Sequence, residues 1–246
     1  MRLGDDERCF NWEAEVLMKI FITGGAGLLG KELIKNLQTD NTLYWPTHKE
    51  CDIEDRTILR KHIEKFKPEI LIHCAAFISI GESEKDPSKA IDANVIGTCN
   101  VVQECSRNNI KLIYISTTHV FDGKKGNYTI DDYINPLGNY AKTKAAGELV
   151  VRTYKNSLSI RTEFFGHDFP YPAAFTDRWA SKDYIDVIAP KIASISLSNK
   201  TGICNVGSPR KTLYEIAKQR KKDVDKLFVK DFGQKVPILI DTSLKL

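Results

Sequence analysis

The sequence contains no long apolar run. None of its hydrophobic stretches approaches the roughly 18 consecutive apolar residues of a membrane-spanning helix, so we expect no membrane segment. Residues 1–17 are acidic and mixed, and they lack the apolar region of a secretory signal. Because Met18 directly precedes the first predicted strand, we interpret residues 1–17 as an N-terminal extension outside the core. These features predict a cytoplasmic protein.

The cysteines contain no Cys-x-x-Cys pair. There are six, and most lie in apolar surroundings, which favours buried free thiols in a reducing compartment. His73 has no second histidine or acid at metal-ligand spacing, and we predict no metal site. Internal repeats and low-complexity tracts are also absent from the sequence. With 42% apolar residues in 246, the chain can form one sizeable core or two closely packed lobes.

Positive charge is concentrated near the end of the chain. Residues 210–246 hold ten Lys and Arg against five Asp and Glu, which is +5, and leave −1 for the rest of a chain of net charge +4. The aromatic residues in this segment do not form the interleaved pattern of a nucleic-acid surface. We therefore predict a solvated helix end and no nucleic-acid partner.

A glycine-rich turn between a strand and a helix organises the sequence. Lys19-Ile20-Phe21-Ile22-Thr23 has the length and β-branched content of a buried parallel strand, and leucines at helical spacing follow the turn. Gly24 suits the tight turn, Gly27 allows a diphosphate to approach the backbone, and Gly30 allows close packing of the helix. The free N–H groups at the start of that helix would face phosphate oxygens, which indicates nucleotide binding.

Strands and helices then alternate. Predicted strands cover residues 42–45, 69–73 and 111–115, and Asp86-Pro87 is typical of a helix start. This order predicts right-handed βαβ units in a parallel sheet covered on both faces. After the second strand the sequence has Thr47-His48-Lys49 in place of the acid that often holds a ribose hydroxyl. That change favours NADP over NAD, although an exposed loop explains it equally well.

Tyr140 and Lys144 stand four residues apart in a predicted helix and so share one face. An ammonium group beside a phenol lowers the phenol pKa, which starts near 10, and makes it a usable proton donor. Thr117 ends a predicted strand at the ligand-binding edge of the sheet, one loop before Tyr140. Because Thr117 and Tyr140 come so close together along the chain at this edge, we interpret the Tyr140–Lys144 pair as functional and not as a chance pair on the surface.

These residues belong to a larger ordered set of motifs. On that set the chain resembles the extended short-chain dehydrogenase/reductase superfamily, most closely the dTDP-4-dehydrorhamnose reductases and their relatives. The resemblance is strong over residues 18–165 and loose beyond them. The segments that carry it are residues 23–30, 51–55, 74–76, Asn94, Ser116-Thr117, 120–123, 135–137, 140–148 and Arg161-Thr162.

The resemblance implies a reductase site. Tyr140 would protonate the reduced carbonyl, Lys144 would bind the nicotinamide ribose and lower the tyrosine pKa, and Thr117 would hydrogen-bond the carbonyl oxygen. The cofactor would be NADP(H) or NAD(H), with Asp52 and Ile53 beside the adenine. The implied cofactor-binding set is Gly24, Ala26, Gly27, Leu28, Leu29, Asp52, Ile53, Ala75, Ala76, Asn94, Tyr140 and Lys144.

Two features depart from that family. The reductases typically read Ser-Thr-Asp-Tyr where this chain has Ser116-Thr117-Thr118-His119, so a carboxylate is missing. His119 either substitutes as an acid or base or is a structural imidazole. The absent acid also counts against a 4,6-dehydratase.

The second departure is a shortened C-terminal lobe. The resemblance implies an α/β fold with a doubly wound, mostly parallel Rossmann sheet over residues 18–165 and a small substrate lobe over 166–246. Residues 183–206 would return to the sheet. Arg178, Lys182 and Arg210 are candidates to meet a substrate diphosphate.

These expectations favour an NAD(P)H-dependent reductase that acts on the keto group of a deoxysugar nucleotide. A nucleotide-sugar epimerase of the same superfamily is one alternative. A non-catalytic dinucleotide-binding subunit, resembling the regulatory subunit of methionine adenosyltransferase, is another. The sequence leaves the oligomeric state open, a homodimer included.

Overall fold

A six-stranded parallel sheet forms the centre of the protein in a computed structural model that describes residues 17–231 and 239–246. Residues 1–16 of the predicted extension, with Cys9, lie outside the described residues. The strands are β1 (Met18–Thr23), β2 (Asn41–Tyr44), β3 (Ile70–His73), β4 (Lys111–Thr117), β5 (Ser157–Thr162), β6 (Phe164–Phe165), β7 (Ala173–Phe175), β8 (Trp179–Ala180), β9 (Asp183–Tyr184), β10 (Gly202–Asn205), β11 (Lys211–Thr212) and β12 (Asp225–Leu227).

The helices alternate with the strands of the sheet as the sequence predicts. They are α1 (Leu28–Leu37), α2 (Arg56–Phe66), α3 (Ile80–Lys85), α4 (Ser88–Ile91), α5 (Thr98–Arg107), α6 (Asn139–Val151), α7 (Ile185–Leu197) and α8 (Leu213–Lys218), with a π-helix at Asp92–Gly97 and 3₁₀ turns at Thr118–Val120 and Val229–Asp231.

The sheet order is β2-β1-β3-β4-β5-β10, with every pairing parallel. Successive side chains of a strand point to opposite faces, and both faces of this sheet are apolar. On one face Ile20 and Ile22 pack in a buried cluster with α1 and α7. On the other face Phe21 and Leu71 pack in a cluster with α2 and α5. The predicted doubly wound α/β fold is therefore confirmed.

A smaller lobe covers the end of the sheet beyond β5. Its cluster is built around Phe165, Phe169 and Tyr184, and its short strands pair as β6–β9, β7–β12 and β8–β11. The segment 239–246 returns across this lobe, where the backbone N–H of Thr242 donates to the carbonyl of Trp179 at 2.9 Å. Strand β10 rejoins the main sheet beside β5.

One predicted helix differs from the observed structure. The sequence predicts an unbroken helix from Asp86-Pro87, whereas the chain has α4, a π-helical segment and α5 in succession. Helix α3 lies before them and has no counterpart in the prediction; the Ser79 hydroxyl caps it by accepting from the N–H of Glu82 at 3.4 Å. One wider turn leaves the spacing of apolar residues along the helix nearly unchanged, so the sequence pattern does not predict the π-helix.

Candidate active site

The glycine turn lies where the strand order reverses, between β1 and β3. Gly24 has a φ of +69°, and a Cβ there would lie 2.6 Å from the backbone nitrogen of Ala75. A Cβ on Gly30 would lie 2.4 Å from the carbonyl oxygen of Gly24. Gly27 caps α1 without a side-chain hydrogen bond. The turn therefore leaves the first N–H groups of α1 open at the switch point, where doubly wound sheets bind ligands.

The predicted cofactor residues of this turn differ in exposure. Ala26, Gly27 and Leu28 are exposed. Leu29 is buried in the core cluster under α1, so its side chain cannot line a cofactor site and only its backbone N–H faces the turn. The assignment of Leu29 to the cofactor-binding set stays a prediction, and it concerns the backbone of this residue.

A small cavity of about 60 Å³ adjoins the turn. Three residues of the predicted cofactor-binding set, Gly24, Ile53 and Ala75, are among its lining residues. Asp52 accepts from the N–H of Glu54 at 2.9 Å, and Ala76 is half-buried in the following loop. The cavity is lined by Phe21, Thr23, Gly24, Pro46, His48, Cys51, Ile53 and Ala75.

Asn94 lies in the π-helix and is buried. Its amide oxygen accepts from the N–H of Phe77 at 2.8 Å, and its amide nitrogen donates to the Phe77 carbonyl and the Thr143 hydroxyl, each at 3.0 Å. Both N–H groups of the amide are thus used to join the loop after β3 to α6. This is the role of a buried structural amide, and contact of Asn94 with a cofactor stays a prediction.

The structure brings Thr117 and Tyr140 together. Thr117 is the last residue of β4 and Tyr140 the second residue of α6, and the Thr117 hydroxyl is close enough to the phenol to lower its pKa. Lys144 lies one turn further along α6, buried, where its Nζ donates to the carbonyl of Ile115 at 2.8 Å and lies 4.1 Å from the ring centroid of Tyr114. The three predicted catalytic residues therefore meet at the carboxyl edge of β4.

The protonation of this group differs from the prediction. Burial raises the pKa of Tyr140 to about 12, and the hydrogen bond from Thr117 offsets only part of that rise. Burial also lowers the pKa of Lys144 to about 7. The expected lowering of the tyrosine pKa by Lys144 is not seen, because burial dominates the pKa of this phenol and Lys144 is not among the groups that offset it.

A larger cavity of about 570 Å³ opens beside Tyr140. Its wall is mostly apolar, with Phe165, Phe169 and Phe175 from the small lobe. Among its charged lining residues are Arg178 and Lys182. Cavities of this size and composition are typical of small-molecule sites.

Glu163 also lines the cavity, and it is not among the site residues predicted from the sequence. Its carboxylate accepts from the Thr118 hydroxyl at 2.8 Å and from Lys182 at 3.0 Å, and lies 3.6 Å from His119. Although burial opposes ionisation, Lys182 and His119 hold the pKa of Glu163 well below its usual range. Glu163 follows the end of β5, and polar residues at strand ends of such sheets are the signal that could have identified it.

The three basic diphosphate candidates separate in the structure. Arg178 and Lys182 line the larger cavity, and the Nε of Arg178 donates to the Leu239 carbonyl at 2.9 Å. Arg210 instead pairs with Asp241 at 2.8 Å and stacks on the ring of Trp179. Arg210 is absent from the lining of the described cavity.

The basic run near residue 220 is partly bound to the small lobe. Arg220 donates to both oxygens of Asp186 at 2.7 Å, and Lys221 donates to the carbonyl of Tyr171 at 2.8 Å. Within residues 17–231 and 239–246, no group of three or more His, Cys, Asp or Glu residues could hold a metal ion. Over the same residues, no helix has the length and apolarity to cross a bilayer.

Comparison with known proteins agrees with this geometry. The family described as RmlD substrate binding domain matches residues 18–191. A dTDP-4-dehydrorhamnose reductase of Aggregatibacter actinomycetemcomitans is 32% identical over 191 residues, which are 74% of this chain and 64% of that protein. Methionine adenosyltransferase 2 subunit beta of Bos taurus is 33% identical over 144 residues, 54% of this chain and 42% of that protein. The chain thus spans less than two thirds of these relatives.

A solved structure shares the fold over nearly the whole chain. The crystal structure of dTDP-4-dehydrorhamnose reductase from Bacillus anthracis in complex with NADP matches with a TM-score of 0.85 and 24% identity. The match covers 93% of this chain and 90% of that one.

Proposed function

Because the chain belongs to the RmlD substrate binding domain family, we propose that it is an NAD(P)H-dependent reductase that acts on the keto group of a deoxysugar nucleotide. The single observation that carries this proposal is the position of Tyr140 on the wall of the larger cavity, where the Thr117 hydroxyl opposes the effect of burial on the phenol pKa. Lys144 lies one helical turn away on the same helix. A phenol, a hydroxyl and an ammonium group together suit the protonation of a carbonyl oxygen.

The residues around the glycine turn fit a dinucleotide. A Cβ at Gly24 would collide with the loop after β3, so only glycine allows that turn, and α1 begins without a capping side chain. These open N–H groups can hold a diphosphate, and the small cavity beside Ile53 and Ala75 lies on the side where the adenine would bind. When bound, the reduced cofactor supplies a hydride.

The loop after β2 supports NADP as the cofactor. Glu50 is the first acid after this strand, and its carboxylate accepts from the N–H and the hydroxyl of Thr47 at 2.8 Å. It is therefore engaged within the loop, while His48 lines the small cavity. A neutral-to-basic rim favours a phosphate on the ribose. The solved relative of the same fold binds NADP.

The high pKa of Tyr140 suits the direction of reduction. A phenol with a pKa of about 12 stays protonated at neutral pH and so holds the proton that the reduced carbonyl oxygen requires. The Thr117 hydroxyl opposes part of the rise in the phenol pKa. Arg178, on the wall of the same cavity, supplies positive charge for a substrate diphosphate.

The test is an assay of cofactor oxidation. Purified protein, NADPH or NADH and a panel of 4-keto nucleotide sugars are combined, and the loss of reduced nicotinamide absorbance is followed. We expect turnover with at least one sugar and a faster rate with NADPH. No turnover with any sugar, in a protein that quenches or shifts nicotinamide fluorescence, would contradict the reductase and leave a dinucleotide-binding module. The 33% identity to methionine adenosyltransferase 2 subunit beta favours the dinucleotide-binding module as the second candidate.

A further inference from the structure

His119 lies beside Tyr140 at the carboxyl edge of β4. It belongs to the 3₁₀ turn at Thr118–Val120, and its backbone N–H donates to the Thr117 hydroxyl at 3.2 Å. Its imidazole lines the larger cavity and stands edge-on to the ring of Tyr140, with 6.1 Å between the ring centroids. An imidazole that can take up or release a proton therefore faces the same cavity as the phenol.

The carboxylate of Glu163 lies beside one nitrogen of this imidazole. Its Oε1 is 3.6 Å from the Nε2 of His119 and 3.0 Å from the Nζ of Lys182. Its Oε2 accepts from the hydroxyl groups of Thr118 at 2.8 Å and Thr242 at 3.3 Å, so the carboxylate is held from both sides. A neighbouring carboxylate favours a proton on Nε2, and in the neutral imidazole the lone pair is then on Nδ1. Glu163 is thus a positioning residue that leaves His119 as a base.

The other ionisable side chains of the cavity wall do not suit the role of a base. Glu84 is hydrogen-bonded to the backbone at the start of α6. Lys182 and Arg178 are cations without a free lone pair, and phenols hold their protons at neutral pH. Although burial opposes ionisation, Lys182 and His119 hold the pKa of Glu163 well below its usual range, so its carboxylate is a weak base. Histidine is the side chain that exchanges a proton most readily near neutral pH.

We propose that His119 is a catalytic base that removes a proton from the carbon adjacent to the keto carbon, so that this site catalyses enolisation of its substrate as well as reduction. The inference rests on the proposed function, which supplies the keto sugar. An acid at the keto oxygen and a base at the neighbouring carbon are the two groups that enolisation requires, and Tyr140 and His119 line the same cavity.

The step balances without an oxidant or a reductant. The C–H bond breaks and its proton goes to His119, while its electron pair forms the C=C bond of the enol. The electron pair of the C=O double bond takes the proton of the Tyr140 phenol. Reversal of these transfers regenerates the ketone. Because the imidazole is 20% exposed, its proton exchanges with water before it returns, and the carbon gains a hydrogen from the solvent.

The test is deuterium incorporation in D₂O. Wild-type protein, NADP⁺ and each sugar of the 4-keto nucleotide sugar panel are incubated, and NMR follows the hydrogen on the carbon adjacent to the keto group. NADP⁺ occupies the cofactor site but has no hydride to give. We expect exchange about 100-fold or more above a blank without protein. No exchange above the blank with any sugar would overturn the inference, and cofactor oxidation by the same preparation shows separately whether the reductase function stands.

The variant His119→Gln retains a donor for Glu163 and removes the base. We expect its exchange rate to fall about 100-fold or more, and further than its rate of cofactor oxidation. A nicotinamide fluorescence titration shows that the cofactor site is folded. Exchange that persists in this variant would overturn the inference. Equal losses of exchange and cofactor oxidation would make the histidine structural and overturn it as well.

Two further variants test positioning and specificity. Glu163→Gln should lower the ratio of exchange to cofactor oxidation by less than His119→Gln does, because the amide no longer selects one tautomer of the imidazole. A ratio equal to that of the wild type would refute the positioning role of Glu163. His167→Gln is the matched control, since this 51% exposed histidine also pairs with a glutamate, Glu32 at 3.2 Å, but does not line the cavity. It should leave both rates unchanged.

Discussion

Arg161 donates to Glu148 across 2.7 Å in an ion pair whose two side chains are both buried. The Ser116 hydroxyl donates to the second carboxylate oxygen of Glu148 at 2.6 Å, and the Arg161 guanidinium lies 4.9 Å from the ring centroid of Phe121. Glu148 is on α6 and Arg161 on β5. The pair therefore joins the helix that carries Tyr140 to the strand that precedes Glu163.

Removing one member of this pair should destabilise the protein strongly. Glu148→Ala would leave the Arg161 guanidinium buried without its counterion, so we expect the free energy of unfolding to fall by about 3–5 kcal/mol. Urea denaturation followed by circular dichroism measures the change. Lys125→Ala, which breaks the exposed pair with Asp132, is the control and should cost about 0–1 kcal/mol. Similar small losses in both variants would contradict the assigned role of the buried pair.

Gly24→Ala should both destabilise the fold and weaken dinucleotide binding. Alanine at this position would have to adopt the left-handed backbone of Gly24, and its Cβ would lie 2.6 Å from the Ala75 nitrogen. We therefore expect a loss of about 1–3 kcal/mol in unfolding free energy. Fluorescence titration with reduced nicotinamide dinucleotide should show weaker binding.

The control for this change is Gly81→Ala. Gly81 lies in α3, and a Cβ there meets no atom within 4 Å. Alanine favours helix over glycine, so the control should be unchanged or more stable by about 0.5–1 kcal/mol. Unaltered stability and binding in Gly24→Ala would refute the account of the turn.

His73 should make the fold sensitive to acid. It is buried between the hydroxyl groups of Thr23 at 2.7 Å and Thr98 at 3.1 Å, and burial lowers its pKa to about 3. The unfolded chain takes up this proton near pH 6.5, so between pH 6.5 and 3 the unfolded state binds more protons. Stability then falls as the pH falls, with about 2–3 kcal/mol lost from this residue by pH 4.5.

The measurement is the unfolding free energy of wild type, His73→Gln and His48→Gln at pH 7 and 4.5. His73→Gln should show a smaller loss on acidification than wild type. The His48 side chain is 77% exposed, so His48→Gln should lose as much unfolding free energy on acidification as the wild type. If His73→Gln also keeps the full acid dependence, the proton uptake belongs to other groups.

Tyr140→Phe should abolish most turnover and leave the cofactor site intact. Loss of the proton donor is expected to lower kcat by about 10²–10⁴-fold, because the phenol is the acid beside the keto oxygen. Cofactor affinity, read from nicotinamide fluorescence, should stay within a few-fold. Tyr133→Phe removes the hydroxyl of a tyrosine that is 97% exposed and should leave both quantities unchanged. Full turnover in Tyr140→Phe would exclude the phenol as the acid.

Local sequence patterns were sufficient to predict the parallel sheet and the helices that alternate with its strands. The strand before Gly24, the helix after it and the later alternation of apolar strands and helices are each carried by residues close in sequence, and the parallel sheet confirms them. Thr117 and Tyr140 were also predictable, because a strand end and a helix start place them at one edge.

The remaining features depend on contacts between distant residues. The strand-end position of Glu163 is a local signal, but its contacts with Thr118 and Thr242 come from separate parts of the chain and no local pattern reveals them. The direction of the Tyr140 pKa shift was wrong in the prediction because spacing reports the nearby ammonium and not the depth of burial.

Because of the π-helix at Asp92–Gly97, the number of residues in this segment determines which way the Asn94 side chain points. A π-turn holds one residue more than an α-turn, and one residue rotates a helix by about 100°. Deletion of a single residue here would turn the Asn94 amide away from the Phe77 backbone and the Thr143 hydroxyl, even though Asn94 and Thr143 themselves are retained. An alignment that treats residues 88–107 as one regular helix would therefore be shifted by one residue after the π-helix, and it would assign the wrong residues to the buried face.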